Sequence, residues 1–165
     1  MQPQVRIHYY QVAPHGADGI MELERYVHDS GLEESLINLV KMRASQINGC
    51  AYCIDMHSKD ARSSGESEQR LYGLNAWRET PFYTERERAA LAWTEAVTLV
   101  SETHVPDEVY EAAREQFSEK ELVDLTLAVI AINAWNRLAI SFRSEAGSYK
   151  RDHPVAMKNS LLAEP

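Results

Sequence analysis

The stretch Ser45-Gln-Ile-Asn-Gly-Cys-Ala-Tyr-Cys-Ile-Asp-Met-His57 contains both cysteines of the 165-residue chain. They form a Cys-x-x-Cys pair, Cys50 and Cys53, and His57 follows the second cysteine by four residues. Apolar residues recur at helical spacing before this stretch, and an Asn-Gly pair then interrupts the pattern. The sequence therefore predicts a helix, a short break and a second helix that starts at the cysteines. Because four residues make about one helical turn, Cys53 and His57 should face the same way.

The predicted position of the cysteines favours their ionised form. Unpaired backbone N–H groups and the helix dipole favour negative charge at a helix start, so a thiol there loses its proton more easily than free cysteine, whose pKa is about 8.5. Three interpretations stay open. The cysteines could be small buried apolar residues, or ligands of a metal together with His57. Alternatively they form a redox dithiol, which the helix start and the nearby histidine favour.

Composition restricts the class of protein. The chain fits one domain, predicted over residues 1–147, with an arm or tail over 148–165. The formal net charge of -8 argues against general binding to nucleic acid or to an anionic membrane. We also expect neither a secretory signal nor an apolar run close to the ~20 residues of a membrane span. We therefore expect a cytoplasmic protein, in whose reducing surroundings a close cysteine pair is typically catalytic or metal-binding.

Hydrophobic periodicity and capping signals predict an all-α fold with about six to seven helices. The N-terminal twelve residues alternate weakly and predict an extended arm, and Pro14 and Gly16 predict a loop after it. Two capping boxes, at Thr84 and Ser118, mark helix starts. The predicted helices cover residues 20–28, 33–47, 50–63, 67–77, 84–100, 106–116 and 122–142.

The last of these helices is apolar on nearly every face, which predicts that it is buried all round. In a chain of this size a partner subunit would have to cover part of it, so we expect a homo-oligomer. The alternative is the core helix of a monomeric bundle. Asn136-Arg137 interrupts the apolar run and predicts a buried polar contact between subunits.

Three segments resemble the carboxymuconolactone decarboxylase-like superfamily and, within it, the alkylhydroperoxidase D (AhpD) branch. They are residues 39–57, with the Ser-Gln-x-Asn-Gly-Cys-x-x-Cys-x-x-x-His run, residues 82–93 and residues 133–137. The resemblance covers roughly residues 15–145. It implies an AhpD-like helical bundle that assembles as trimers or hexamers and reduces hydroperoxides with its thiols, using an external dithiol or redox protein as reductant. No cofactor and no metal are expected.

The resemblance also implies roles for the motif residues. Cys53 would be the thiolate that attacks the peroxide, Cys50 the resolving thiol, and His57 the group that takes the proton. The decarboxylase members lack the cysteine pair, so these residues favour the peroxidase branch.

The chain departs from the AhpD pattern at two positions. That branch has a Glu twelve residues before the first cysteine and a His just before the second, where this chain has Asn38 and Tyr52. Asn38 cannot accept a proton near neutral pH, so a relay would end at His57 or use another acid of the same helix, such as Glu34. Tyr52 can donate a hydrogen bond but is a poor base. Two other functions use the same sequence features: a general disulfide reductase or redox relay, and a non-enzymatic oligomeric binding protein.

Overall fold

A computed structural model describes residues 4–150, and every regular element among them is helical. Nine α-helices occur in this part of the chain, rather than six to seven, together with one 3₁₀ segment, Leu74–Glu79. The α-helices are α1 (Tyr9–Val12), α2 (Pro14–His28), α3 (Glu34–Asn48), α4 (Ala51–Ser63), α5 (Glu68–Gly73), α6 (Glu85–Thr98), α7 (Val100–Thr103), α8 (Asp107–Gln116) and α9 (Glu119–Phe142).

The extra elements come from local breaks that periodicity does not detect. The predicted helix over 84–100 ends at Thr98, and a separate turn, α7, follows. The predicted helix over 67–77 divides into α5 and the 3₁₀ segment, with a non-helical residue at Ala76. Single helical turns such as α1 and α7 are too short to show a 3.6-residue pattern.

The N-terminal expectations were wrong in two places. Part of the predicted extended arm is the helical turn α1, and the predicted loop at Pro14 and Gly16 is the first turn of α2. The physical reason is that proline is well suited to the first turn of a helix, where its missing N–H would have no partner. Both capping boxes are confirmed, because Thr84 and Ser118 each exchange hydrogen bonds with the glutamate three residues later.

Helix α9 is the centre of the bundle and packs against α2, α3, α4, α6 and α8. Leu125, Val129 and Ile132 on its inner faces are completely buried. Its outer face is not covered within one subunit, since Val123 is 58% exposed and Ile130 is 47% exposed. Because the expectation of complete burial assigned part of the cover to a partner subunit, it stays a prediction.

By length and composition α9 could also cross a membrane, contrary to the expectation that no segment comes close to this. Its packing accounts for the apolar composition, because the central helix of a bundle carries apolar residues on several faces. The predicted tail lies largely outside the described residues, which end at 150. Within the described part, the Tyr149 hydroxyl donates to Asp60 Oδ1 at 2.9 Å and ties this segment to α4.

Candidate functional site

The cysteine pair lies where the chain turns from α3 into α4. Gly49 ends α3 with a φ of 69°, a left-handed conformation that glycine adopts without strain. Cys50 is the N-cap of α4, and its sulfur accepts a hydrogen bond from the backbone N–H of Cys53 at 3.3 Å. The two cysteines are joined as a disulfide, with their Cα atoms 5.3 Å apart. The predicted break at Gly49 and the predicted helix start at the cysteines are therefore confirmed.

The disulfide is enclosed by three helices. Both cysteines are only 1% exposed. They pack in one apolar cluster with Ala44 of α3 and with Ile132 and Ala139 of α9. Tyr52 and Trp135 are partly buried against the same cluster. The sulfurs are therefore buried, as the first interpretation expected, but they are also close enough to bond to each other.

The N-terminal segment adds to this cover. The Tyr10 ring stacks on Trp135 with a centroid distance of 5.8 Å, and Tyr9 contacts Phe142 at 6.0 Å. The backbone N–H of Arg6 donates to the carbonyl of Phe142 at 3.0 Å. Residues 6–10 thus lie along the C-terminal half of α9, beside the aromatic residue that contacts the cysteine cluster.

His57 lies on α4, one turn after Cys53, and is 7% exposed. Its Nε2 atom is buried and has no hydrogen-bond partner within the described part of the chain. Burial, with a smaller contribution from the positive charge of Lys41, lowers the pKa of His57 from 6.5 to about 3. The imidazole is therefore neutral at physiological pH.

The three residues considered for a proton relay lie in different surroundings. The amide nitrogen of Asn38 is buried without a hydrogen-bond partner among residues 4–150. Tyr52 is next to the cysteines, and its partial burial raises the pKa of its phenol. Glu34 instead accepts a hydrogen bond from Ser64 Oγ at 2.9 Å, at the C-terminal end of α4. Since α4 is about 20 Å long, Glu34 lies far from the cysteine pair.

Two polar groups on α3, the helix that leads to the cysteines, were not predicted as parts of the site. The first is an ion pair between Lys41 of α3 and Glu24 of α2, with side chains only 14% and 17% exposed. The second is a network in which Asn48 Nδ2 donates to Asn136 Oδ1 at 2.8 Å and Asn136 Nδ2 donates to Ser45 Oγ at 3.1 Å. Asn136 therefore makes its buried polar contacts within one chain, not between subunits as predicted.

A sequence signal for both groups exists along α3. Asn38, Lys41, Ser45 and Asn48 recur at intervals of three and four residues, which places them on one face of the helix. This polar stripe belongs to a helix whose other buried residues are mainly apolar. Because polar residues within a buried helix need partners, such a stripe indicates an interior polar contact.

The metal-binding interpretation has little geometric basis in the structure. No group of three His, Cys, Asp or Glu side chains between residues 4 and 150 is arranged to hold a metal ion. The bond between Cys50 and Cys53 also occupies both sulfurs.

The sequence profile of the Carboxymuconolactone decarboxylase family matches residues 14–96, which include the cysteine pair and His57. The chain belongs to this family. It is 46% identical over 143 residues to the uncharacterized protein YdfG of Bacillus subtilis, covering 87% of this chain and 97% of that protein.

Solved structures agree with this assignment. A protein of unknown function from Agrobacterium tumefaciens, named as a candidate antioxidant defence protein AhpD, superposes with a TM-score of 0.85 at 49% identity, covering 88% of this chain and 100% of that one. The fold is thus AhpD-like. The debrominase Bmp8 superposes with a TM-score of 0.75 at 21% identity, covering 84% of this chain and 74% of that one. The second likeness shows the fold alone, because one fold can host different reactions.

Proposed function

We propose that this member of the family is a thiol-dependent peroxidase that reduces hydroperoxides through a dithiol and disulfide cycle. The observation that supports the proposal is the position of two sulfurs, from Cys50 and Cys53, within bonding distance at the start of α4. His57 lies one turn further along the same helix. The two sulfurs supply both electrons that the peroxide receives, so the proposed cycle needs no cofactor.

In the oxidative half of the cycle, the Cys53 thiolate attacks one oxygen of the hydroperoxide and the O–O bond breaks. The other oxygen takes a proton and leaves as an alcohol, while Cys53 becomes a sulfenic acid. The Cys50 sulfur then attacks the Cys53 sulfur, a disulfide forms, and hydroxide leaves and becomes water with one proton. The two sulfurs have then given two electrons to the peroxide.

In the reductive half, an external dithiol attacks the Cys53 sulfur and the Cys50 thiolate leaves. The hydrogen bond from the Cys53 N–H to the Cys50 sulfur supports this direction, because it stabilises negative charge on the leaving sulfur. The second thiol of the donor then attacks the mixed disulfide. This step releases Cys53 as a thiolate and leaves the donor oxidised.

The role of His57 in this cycle is restricted by its environment. A neutral imidazole can accept a hydrogen bond from the Cys53 thiol. In the disulfide form, however, its pKa is about 3, so it carries no proton there at neutral pH. We therefore propose that His57 orients the thiol, and that the positive charge that stabilises the thiolate comes from another residue.

The burial of the site favours a small oxidant over a protein disulfide, the substrate of the alternative disulfide reductase. Both sulfurs are 1% exposed and lie behind Tyr52 and Trp135. A small hydroperoxide needs a narrow opening, whereas a protein disulfide needs a wide one. The reductant, a dithiol or a redox protein, also has to reach Cys53, and we propose that the cover near Trp135 opens for it.

We further propose that a second copy of the chain covers the outer face of α9. An open groove of about 300 Å³ lies there, between α9 and the helices α6 and α7. Val97, Ile130 and Ala134 are among its apolar residues, and Arg137 at its edge is hydrogen-bonded to Asn133. Because every copy of the chain carries the same apolar face, two such faces can cover each other in a symmetric homo-oligomer. The resemblance to AhpD proteins suggests trimers or hexamers, and a cytoplasmic location suits a cycle that needs thiol reductants.

The cysteines provide the test of the peroxidase proposal. Reduced protein is mixed with cumene hydroperoxide and dithiothreitol, and the loss of peroxide is followed over many equivalents. Cys53→Ser should abolish turnover. Cys50→Ser, mixed with the peroxide after dithiothreitol has been removed, should consume about one equivalent and stop at the sulfenic acid, which mass spectrometry detects. Tyr72→Phe, at an exposed position of α5, should behave like the natural chain. Sustained turnover by both cysteine variants would contradict the cycle.

A further inference from the structure

The ion pair between Glu24 and Lys41 joins α2 to α3 in a part of the bundle that is otherwise largely apolar. Both side chains are largely buried, and removing two charges from water is costly even when they pair. An apolar pair of similar volume would fill this space at least as well. The buried pair is therefore better explained by a role for its charge than by stability alone.

The path of the chain places Lys41 beside the dithiol site. Helices α3 and α4 run antiparallel, joined through Gly49 at one end and by the Ser64 to Glu34 hydrogen bond at the other. Residues equally far from Gly49 are then level with each other. Lys41 stands eight residues before Gly49 and His57 eight after it, while Ser45 and Cys53 each stand four residues away.

Two observations agree with this placement. The Lys41 charge acts on the imidazole of His57. Ala44, one turn after Lys41 on α3, belongs to the same apolar cluster as both cysteines. Lys41 thus lies level with His57 along the α3–α4 pair, and one helical turn from the level of Cys53.

Within residues 4–150, the cluster that surrounds the cysteines consists of apolar and aromatic side chains. The inner face of α9 presents Trp135 and the uncharged Asn136 there. On α4, Asp55 is paired with Lys59 at 2.7 Å, on a part of the helix that is more exposed. The N-terminal segment presents the phenols Tyr9 and Tyr10, and Tyr52 lies on α4 itself.

We infer that the Glu24–Lys41 pair is part of the dithiol site: Lys41 stabilises the thiolate of Cys53 in the reduced protein, and Glu24 positions Lys41. Both are positioning residues that act through the sulfur and are not proposed to touch the peroxide. The inference deepens the proposed function, because it names the cation that the neutral His57 cannot provide. It also assigns a carboxyl group to the site, that of Glu24 on α2, whereas Asn38 has none at the position where the AhpD branch has a glutamate.

The ionisation of Cys53 tests this directly, in full-length reduced Cys50→Ser protein. That background leaves one thiol to titrate, and serine is itself a good N-cap. Thiolate absorbance and the rate of alkylation by iodoacetamide are measured against pH. Lys41→Met should raise the apparent pKa of Cys53 by about one unit, since an opposite charge nearby favours the ionised form. Lys41→Arg, which keeps the charge, should restore most of the shift.

Two further variants make the outcome decisive. Lys59→Met removes a more exposed lysine of α4 and should leave the pKa of Cys53 unchanged. If Lys41→Met does not fold because Glu24 is left unpaired, the double variant Glu24→Gln, Lys41→Met removes both charges and should show the same shift. The titration needs no peroxide, so a protein that shows the shift but does not turn over hydroperoxide would refute the proposed function and not this inference. The inference is overturned if neither Lys41→Met nor the double variant changes the pKa of Cys53. It is also overturned if His57→Gln raises that pKa while the two Lys41 variants do not.

Discussion

Acid should destabilise this protein through His57 more than through any exposed histidine. The imidazole is 7% exposed, and its Nε2 has no hydrogen-bond partner within residues 4–150. Its pKa is about 3 in the folded chain and about 6.5 when unfolded. Between these two values the unfolded state binds more protons than the folded state, so the free energy of unfolding decreases as the pH falls below about 6.5.

The size of this effect follows from the two pKa values. Each pH unit inside the window is worth about 1.4 kcal/mol. From pH 7.5 to pH 5.0 the His57 contribution should therefore lower the free energy of unfolding by about 2 kcal/mol. At pH 7.5 the contribution is close to zero, because the imidazole is neutral in both states.

Urea denaturation followed by circular dichroism at the two pH values measures this difference. The natural chain is compared with His57→Gln, which has no titrating side chain at this position, at one protein concentration and with the disulfide intact. The contributions of all other acidic and basic groups then cancel in the comparison. His28→Gln, at an exposed position of α2, is the control and should lose as much stability as the natural chain. Equal losses in the natural chain and His57→Gln would refute the claim that folding holds this imidazole neutral.

Three other predictions concern packing and assembly. Asn136→Ala should lower the free energy of unfolding by about 2 kcal/mol, because it removes two buried hydrogen bonds, one from Asn48 and one to Ser45. Gln69→Ala, at an exposed site, should change it by less than about 0.5 kcal/mol, and equal effects in urea denaturation would contradict the network. Ile130→Glu should reduce the mass measured by light scattering to that of one subunit, because it places a charge on the outer face of α9; an unchanged assembly would show that this face is not the interface. Removing a helix cap by Ser118→Ala should cost about 1 kcal/mol in the same denaturation experiment, and no loss would mean that this capping box does not hold the start of α9.

Much of the local structure could be predicted because its causes are local. The start of α4 follows from Gly49, whose left-handed backbone ends α3. The starts of α6 and α9 follow from Thr84 and Ser118, whose side chains bond to backbone groups three residues away. The pairing of Cys50 with Cys53 is equally local, because a helix start holds residues three apart within reach of each other.

Other features depend on residues that are distant in the sequence. Glu24 is an ordinary charged residue of an amphipathic helix until the packing of α2 against the bundle places it on Lys41. Glu34 was a candidate relay acid because it lies on α3, the helix that precedes the cysteines. The antiparallel packing of α3 and α4 places it instead at the far end of α4. Asn136 was expected between subunits, and it instead meets Ser45 of its own chain because α9 crosses the end of α3.

The sequence by itself determined the helical class, the break at Gly49 and the cysteine pair one turn from His57. Each depends on interactions within about four residues, which neighbouring side chains and backbone groups decide. Only the tertiary structure decided that His57 is buried and neutral, and which charged side chains reach it. Burial and charge depend on which helices lie side by side, and that is a property of the whole packed chain.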